Sequence, residues 1–445
     1  MGNRIFKRKI YERLLEWKRE SNGKSALMIQ GARRIGKSTI VEEFAKKEYS
    51  SYLIIDFNRA SEEVKSLFDD LMDLDFIFLR LQAIFNVVLH RRRSVIIFDE
   101  VQKCPNARQA IKYLVQDGRY DYIETGSLIS IKQNTKGITI PGEEEQIDMY
   151  PMDFEEFRWA LGDTATVPLL KSFFEKRISL GAAHRIKERD LRLYMLVGGM
   201  PQAVNEYIDT NNLAKVDAVK RRIIKLYSDD FMKIDPSGKL SKLFMSIPAQ
   251  LSKNTSRYYA SSVVGRLGSD LEEEMLINLE DSKAVLVSYH SDDPNIGMSL
   301  SRDTSRYKLF IADTGLFVTM AFWDKDFTEN IIYQKLLADK LETNLGYVYE
   351  NIVAQMLTSS GNKLFYYTFE KDEKHLCEID FLLSRGNKIC PIEVKSSGYK
   401  SHTSLDTFRA KFSSRIKNSY LIYTKDFQVG ENELLYIPFY MTGMI

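Results

Sequence analysis

The sequence has 445 residues, of which 44% are hydrophobic and 28% are charged, an ordinary composition for a folded protein. At about 150 residues per domain, this length predicts roughly three domains. The net charge of +2 argues against a coat-like basic protein and an acidic disordered chain, but it leaves a local basic patch open. The cysteines lack CxxC spacing, no apolar run approaches the roughly 18 residues of a membrane span, and the start lacks the apolar core of a signal peptide. We therefore expect a cytoplasmic protein that makes no membrane contact.

A phosphate-binding loop is predicted near the start of the chain. The apolar run 25–30 predicts a buried strand, and it is followed by the pattern G-x-x-x-x-G-K-[ST] as Gly31-Ala32-Arg33-Arg34-Ile35-Gly36-Lys37-Ser38. Backbone N–H groups of this loop, and of a helix beginning near Thr39, are expected to point at phosphate oxygens. Lys37 would reach the β- and γ-phosphates, and Ser38 would bind Mg²⁺. The motif thus predicts an ATP site with Mg²⁺.

Further strands are predicted at 52–56, 94–98 and 120–124, and the second of them ends in two carboxylates, Asp99 and Glu100. Asp99 is expected to hold Mg²⁺ through its water shell, and Glu100 to act as the general base for the attacking water. The intervening strand predicts that the strands carrying the two motifs are not neighbours, as in AAA-type ATPases. In Thr125-Gly126-Ser127, Thr125 either senses the γ-phosphate or caps a glycine turn, and the pattern leaves both open.

Helical periodicity dominates from about residue 154 to 232 and is broken at Gly198-Gly199-Met200-Pro201. A similar Gly-x-Pro element contacts adenine in a related ATPase group, so Pro201 is either an adenine contact or a helix break. No arginine finger can be assigned, because spacing does not choose among the available arginines. Residues 239–330 predict helices followed by two strands and resemble a small winged-helix fold. Its second helix is not strongly basic, because it contains the acidic run 272–274, and this favours docking to a protein over reading of DNA.

Two acidic strands are predicted in the last quarter. Gly386-Asn387 separates two alternating runs, and a two-residue loop there puts Asp380 opposite Glu393. Facing carboxylates repel, so a divalent metal between them is the natural compensation. Lys395, on the same face, would then help orient or activate the water that attacks a phosphodiester. Glu350, on a predicted helix, is a further carboxylate candidate near this metal.

Glu350, Asp380, Glu393 and Lys395 resemble the PD-(D/E)xK core of restriction-endonuclease-like folds, although Ile379 stands where a proline is usual. Residues 395–417 follow directly and are basic, with a single acidic residue among Lys395, Lys400, Arg409, Lys411, Arg415 and Lys417. This segment is either a footprint for the DNA backbone or a solvated amphipathic helix.

Together these motifs resemble a prokaryotic family of ATP-binding proteins with an AAA-type ATPase domain and a C-terminal region of unknown function. The resemblance rests on the phosphate-binding loop, on 98–102, Thr125-Gly126-Ser127 and Gly198–Pro201, and on Lys308-Leu309-Phe310-Ile311-Ala312-Asp313-Thr314-Gly315-Leu316 and Ile392–Lys395. It implies ATP binding and hydrolysis. We expect an α/β protein with a P-loop core at 1–160, a helical lid at 161–235, a winged-helix-like domain at 236–335 and a nuclease-like α/β domain at 336–445.

Two functional hypotheses follow. In the first, Mg²⁺-dependent ATP hydrolysis is coupled to a C-terminal nuclease-like domain that acts on DNA with a second divalent metal. In the second, the protein is a nucleotide-dependent switch or assembly module, and its nuclease-like domain is inactive. Both hypotheses are compatible with a homo-oligomer or with a protein partner.

Overall fold

A computed structural model describes residues 4–126, 142–253, 255–324, 330–338, 346–372 and 375–445. Contacts divide the chain into two compact units. The first unit spans Met1–Tyr150 and Asp281–Lys283, and the second spans Pro151–Glu280 and Ala284–Ile445. The finer division into four segments stays a prediction.

The first unit is built on a parallel sheet. Its strands are β1 (Ala26–Gln30), β2 (Ser51–Asp56), β3 (Ser94–Asp99), β4 (Asp121–Gly126) and β5 (Glu144–Asp148), in the order β2-β3-β4-β1-β5. Its helices are α1 (Ile10–Ser21), α2 (Lys37–Glu48), α3 (Glu62–Ser66), α4 (Leu74–Phe85) and α5 (Pro105–Asp117). Strand β4 lies between β1 and β3, so the predicted separation of the two motif-bearing strands is confirmed.

Burial explains why these segments form these elements. Strands β1 and β4 are buried along their whole length, as expected for parallel strands covered on both faces. Helix α1 begins at Ile10, and its buried stripe of Ile10, Leu14 and Trp17 follows helical spacing. The order of strands and helices is that of a P-loop α/β fold.

The second unit combines many helices with one mixed sheet. Its helices are α6 (Phe154–Ala160), α7 (Thr166–Lys176), α8 (His184–Val197), α9 (Pro201–Thr210), α10 (Leu213–Ile234), α11 (Lys239–Leu251), α12 (Ser261–Val264), α13 (Ser269–Asp281), α14 (Thr314–Ala321), α15 (Asn330–Leu337), α16 (Gly346–Ser359) and α17 (Thr403–Lys411). Its strands are β6 (Val285–Ser291), β7 (Arg302–Ile311), β8 (Phe365–Asp372), β9 (His375–Arg385), β10 (Lys388–Lys395), β11 (Ser419–Tyr423), β12 (Gln428–Val429) and β13 (Leu434–Pro438). The eight strands form a single sheet in the order β12-β13-β11-β10-β9-β8-β6-β7.

This strand order places the two strands of the segment resembling a winged helix in the large sheet. Its helices precede a β6–β7 hairpin in the expected order, but β6 also pairs with β8, so the hairpin is part of the large sheet. Every residue of β6 is buried, which is the pattern of a central strand rather than of an exposed wing. The boundary near residue 335 therefore does not separate two sheets.

The glycine pair before Pro201 is packed tightly within the second unit. A Cβ atom on Gly199 would lie 2.0 Å from the backbone oxygen of Met152, so only glycine fits there. The backbone N–H of Gly199 donates to the buried carboxylate of Asp313, and the ammonium of Lys220 donates to the backbone oxygens of Leu196 and Gly315. Two of the motifs noted in the sequence, Gly198–Pro201 and Lys308–Leu316, are thus packed against each other.

None of the helices in the described part of the chain combines the length and apolar composition that a membrane-spanning segment requires.

Candidate functional site

The predicted phosphate-binding loop connects β1 to α2. Gly36 precedes α2 with φ of +95° and Arg34 has φ of +67°, so the loop bends through left-handed conformations. Lys37 is the first residue of α2, and its ammonium donates to the backbone oxygens of Gly31 and Ala32 at 2.9 Å each. Burial lowers the pKa of Lys37 to about 8, against the opposing attraction of Glu100 and Asp99.

The side chains predicted to hold Mg²⁺ meet at the carboxyl ends of the strands. The hydroxyl of Ser38 donates to Asp99 Oδ1 at 2.8 Å, and the hydroxyl of Thr125 donates to the same oxygen. Ser38 is the second residue of α2, Asp99 ends β3 and Thr125 lies near the end of β4. Hydroxyl and carboxylate oxygens are the ligands Mg²⁺ prefers, so this arrangement fits the ion.

Glu100 lies next to this cluster in a left-handed conformation, with φ of +55°. Its side chain is partly exposed, and Gln102 Nε2 donates to Glu100 Oε2 at 2.6 Å. The buried amide of Gln102 therefore orients the proposed base, a role not predicted from the sequence. An alternative to general-base chemistry is that Glu100 only shapes the turn after β3.

Arg8 is a second residue that the sequence reasoning missed. Its guanidinium donates to the backbone oxygen of Ile35 at 2.8 Å and to that of Tyr150 at 2.6 Å. Ile35 lies inside the phosphate-binding loop, so Arg8 ties the loop to the end of the first unit. No motif points to Arg8, because its partners are 27 and 142 residues away.

The remaining predicted nucleotide contacts are distributed as follows. Ala32 and Ile35 are buried, Arg33 is partly exposed, and Arg34 and Thr39 are exposed on the loop and the first turn of α2. Ser127 lies outside the described residues. Pro201 is the first residue of α9 in the second unit, and its predicted contact with adenine stays a prediction.

The second candidate site is a carboxylate centre in the second unit. The β9–β10 hairpin pairs Lys388 with Arg385 and Ile392 with Phe381, the register predicted from a two-residue loop. The paired register ends at Ile392 and Phe381, one position before Glu393 and Asp380. Asp380 Oδ2 accepts the backbone N–H of Val394 at 2.7 Å, and Lys395 Nζ lies 2.8 Å from Glu393 Oε1.

Two residues that the sequence reasoning missed complete this centre. Lys308, on β7, extends its ammonium to Glu350 Oε1 at 3.0 Å and to Glu378 Oε1. Glu378 lies two residues before Asp380 on β9 and so shares its face. We use "carboxylate centre" below for Glu350, Glu378, Asp380 and Glu393 with Lys308 and Lys395.

The charges of the carboxylate centre act strongly on one another. Burial, together with repulsion from Glu350, raises the pKa of Asp380 well above its usual range, although Lys308 opposes this. Burial alone would lower the pKa of Lys395, but Glu393 and Asp380 raise it. One oxygen of Glu393, Oε2, is buried without a hydrogen-bond partner in the described structure. A buried, unpartnered carboxylate oxygen is the donor expected at a cation site.

The basic segment after Lys395 is partly engaged within the protein. Helix α17 buries Leu405 and Phe408, so the amphipathic pattern is explained by packing. Arg415 pairs with Asp293 at 2.6 Å, and Arg409 donates to the backbone oxygen of Asn432. Exposed lysines remain in the segment at 400, 411 and 417.

One histidine of the second unit lies near two carboxylates. The candidate ligand atoms of His290, Asp292 and Asp303 lie within 4.8 Å of one another. The backbone N–H of Thr368 donates to His290 Nε2 at 3.2 Å, so the ring proton lies on Nδ1 and points to Asp292. This tautomer explains the contact as a hydrogen bond.

The geometry of the first unit defines a P-loop nucleotide-binding protein. Residues 23–158 match a family described as an AAA domain. Residues 188–326 and 345–441 match two families, each described as a domain of unknown function (DUF8612 and DUF4143). The first unit is accordingly an AAA-type domain with a P-loop fold.

Comparisons with individual proteins add little. No curated protein matches the chain. The Walker-type ATPase paby2304 of Pyrococcus abyssi is 17% identical, over 71% of this chain and 96% of its own, with a TM-score of 0.42. The RuvB Holliday junction branch migration motor of Thermotoga maritima is 12% identical, over 63% and 89%, with a TM-score of 0.29. At these identities, no activity transfers from these proteins to this chain.

Proposed function

We propose that the protein hydrolyses ATP with Mg²⁺ at the phosphate-binding loop. The observation that carries this proposal is the direct contact between the Ser38 hydroxyl and the Asp99 carboxylate at 2.8 Å, beside Lys37 and Glu100. Within one cluster, these groups supply a cation that binds phosphate, ligands for the metal and a general base. Bound Mg²⁺ would neutralise charge on the β- and γ-phosphate oxygens.

Each residue then has a separate task. Lys37 leaves the backbone oxygens of its own loop and binds phosphate oxygens instead. Thr125 donates its hydroxyl to Asp99 and so orients that carboxylate. Glu100, held by Gln102, accepts a proton from the attacking water, a contribution worth about 10²–10⁴-fold in rate.

Phosphate release measured at saturating ATP and Mg²⁺ tests this proposal. Glu100→Gln should retain ATP binding and lose hydrolysis by about 100-fold or more. Glu62→Gln is the matched control, because Glu62 is an exposed glutamate of the same unit with 89% of its side chain accessible. Equal hydrolysis by Glu100→Gln and wild type would refute the assignment of the base.

A second activity is favoured by the carboxylate centre. We propose that the second unit has a nuclease-like core in which Asp380 and Glu393 bind a divalent metal, with Lys395 beside them for a metal-dependent step on a phosphodiester. The buried, unpartnered Oε2 of Glu393 supports this proposal. The metal would polarise the phosphate and lower the pKa of a bound water.

Cleavage of single- and double-stranded DNA with Mn²⁺ or Mg²⁺ distinguishes this activity from the alternative of a nucleotide-dependent switch. Cleavage lost in Lys395→Ala, and kept in the control Lys253→Ala, supports the nuclease. Lys253 is an exposed lysine of the same unit. If neither wild type nor control cuts DNA while ATP hydrolysis persists, the switch or assembly role is favoured.

The remaining proposals concern partners and location. Lys400, Lys411 and Lys417 are exposed and would contact the DNA backbone, so binding should weaken steeply with salt. Replacing all three with glutamine should reduce the slope of the logarithm of affinity against the logarithm of salt by about two to three. A homo-oligomer or protein partner, and a cytoplasmic location, stay proposals of the same kind.

A further inference from the structure

Lys308 fills one side of the carboxylate centre. It extends from β7 and is only 5% exposed, and its ammonium contacts Glu350 Oε1 at 3.0 Å and Glu378 Oε1. An ammonium held between two carboxylates occupies the place that a bridging divalent cation takes in a carboxylate site. Burial alone would lower the pKa of Lys308, but Glu350, Glu378 and Asp380 raise it, so the ammonium stays charged.

The part of the centre formed by Asp380 and Glu393 retains an unpaired carboxylate oxygen. Glu393 is 4% exposed, and only its Oε1 is paired, with Lys395. Its Oε2 is buried and lacks a hydrogen-bond partner in the described structure. Asp380 is partly exposed, and its Oδ2 is held by the backbone of Val394, which fixes the direction of the carboxylate. The unsatisfied oxygen therefore belongs to Glu393, which is not among the ion-pair partners of Lys308 in the described part of the chain.

The charge balance favours one divalent ion. The raised pKa of Asp380 applies to the metal-free centre, whereas a carboxylate that binds a metal is deprotonated, so in the metal-bound centre four carboxylates and two ammonium groups contribute a net charge of −2. One divalent cation neutralises this charge. Two would leave a buried excess of positive charge, which is costly in a partly desolvated site.

We infer that Lys308 is a resident cation that takes the place of a second divalent ion and restricts the carboxylate centre to one metal, bound on the Asp380–Glu393 side. This inference rests on the proposed metal site. Lys308 is a positioning residue here, because it touches the carboxylates and not the reacting phosphate.

The stoichiometry of Mn²⁺ binding tests the inference without any activity measurement. Nucleotide-free protein carrying Asp99→Asn, which disables the metal site of the first unit, is titrated with Mn²⁺ by calorimetry. It should bind one ion. Lys308→Met in the same background should bind two, and Lys308→Arg, which keeps the charge, should bind one.

The outcomes separate failure of the inference from failure of the proposed function. One ion in both the background protein and Lys308→Met overturns the inference and leaves the metal site intact. No ion in the background protein overturns the proposed metal site, and with it the inference. If Lys308→Met is unfolded without metal, Lys308→Gln is measured as well, and added Mn²⁺ should raise the melting temperature of either neutral variant more than that of the background protein. Failure of both neutral variants to fold even with Mn²⁺ shows a purely structural ion pair and overturns the inference.

Discussion

The lowered pKa of Lys37 makes a quantitative prediction about ATP binding. In the free protein, burial lowers this pKa to about 8, while the ammonium is held by two backbone oxygens of its own loop. Nucleotide phosphates attract the charged ammonium and raise its pKa in the complex. Binding at a pH above 8 must therefore take up a proton, and affinity should fall as the pH rises.

The size of this effect follows from the pKa. At pH 7 about nine tenths of the free protein carries a charged Lys37, and at pH 9 only about one tenth does, so the Kd for ATP should rise about tenfold. The terminal phosphate of ATP is already ionised at pH 8, because its last pKa lies near 6 to 7, and so contributes little above that value.

Equilibrium binding of a fluorescent ATP analogue with Mg²⁺ at pH 7, 8 and 9 measures this change. Lys37→Arg is the matched control, because a guanidinium stays charged over this range and its affinity should hardly vary with pH. A wild-type Kd that is constant from pH 7 to 9 would refute the idea that a neutral Lys37 limits binding.

Three further predictions concern Arg8 beside the phosphate-binding loop, the tightly packed Gly199, and the Thr125 hydroxyl. Arg8→Ala should destabilise the first unit by about 1–3 kcal/mol and weaken ATP binding, because it leaves buried backbone oxygens without a hydrogen-bond donor. Thermal melting measures the loss of stability, with Arg13→Ala, at an exposed arginine, as the control. Gly199→Ala should cost about 3 kcal/mol or more, because its Cβ would lie 2.0 Å from a backbone oxygen, whereas Gly268→Ala has open space and should change the melting temperature little. Thr125→Val should lower the ATP hydrolysis rate by about tenfold while Thr125→Ser keeps it, and equal rates would make the threonine a turn cap only.

Local chemistry is what made parts of both sites predictable. The phosphate-binding loop is defined by residue types at fixed spacing, and the succession of strands was enough to separate β1 from β3. The hairpin register that pairs Ile392 with Phe381 follows from a two-residue loop, because the position of the turn fixes which residues face each other.

Long-range pairing explains what the sequence did not reveal. Lys308 and Glu378 meet only because β7 and β9 belong to one sheet, in the order β9-β8-β6-β7, which no local pattern encodes. Arg8 reaches a backbone oxygen that is 142 residues away. The β6–β7 hairpin joins the large sheet through the pairing of β6 with β8, which spans the helices between these two strands.

The central claim, that ATP binds at the loop containing Lys37, is tested most directly by the affinity for a non-hydrolysable ATP analogue with Mg²⁺. Wild type and the control Lys46→Ala, an exposed lysine on α2, should bind one analogue per chain with equal affinity. Lys37→Ala should lose affinity by about tenfold or more, since hydrogen bonds to charged groups contribute about 1.5–3 kcal/mol. Unchanged affinity in Lys37→Ala would contradict the account.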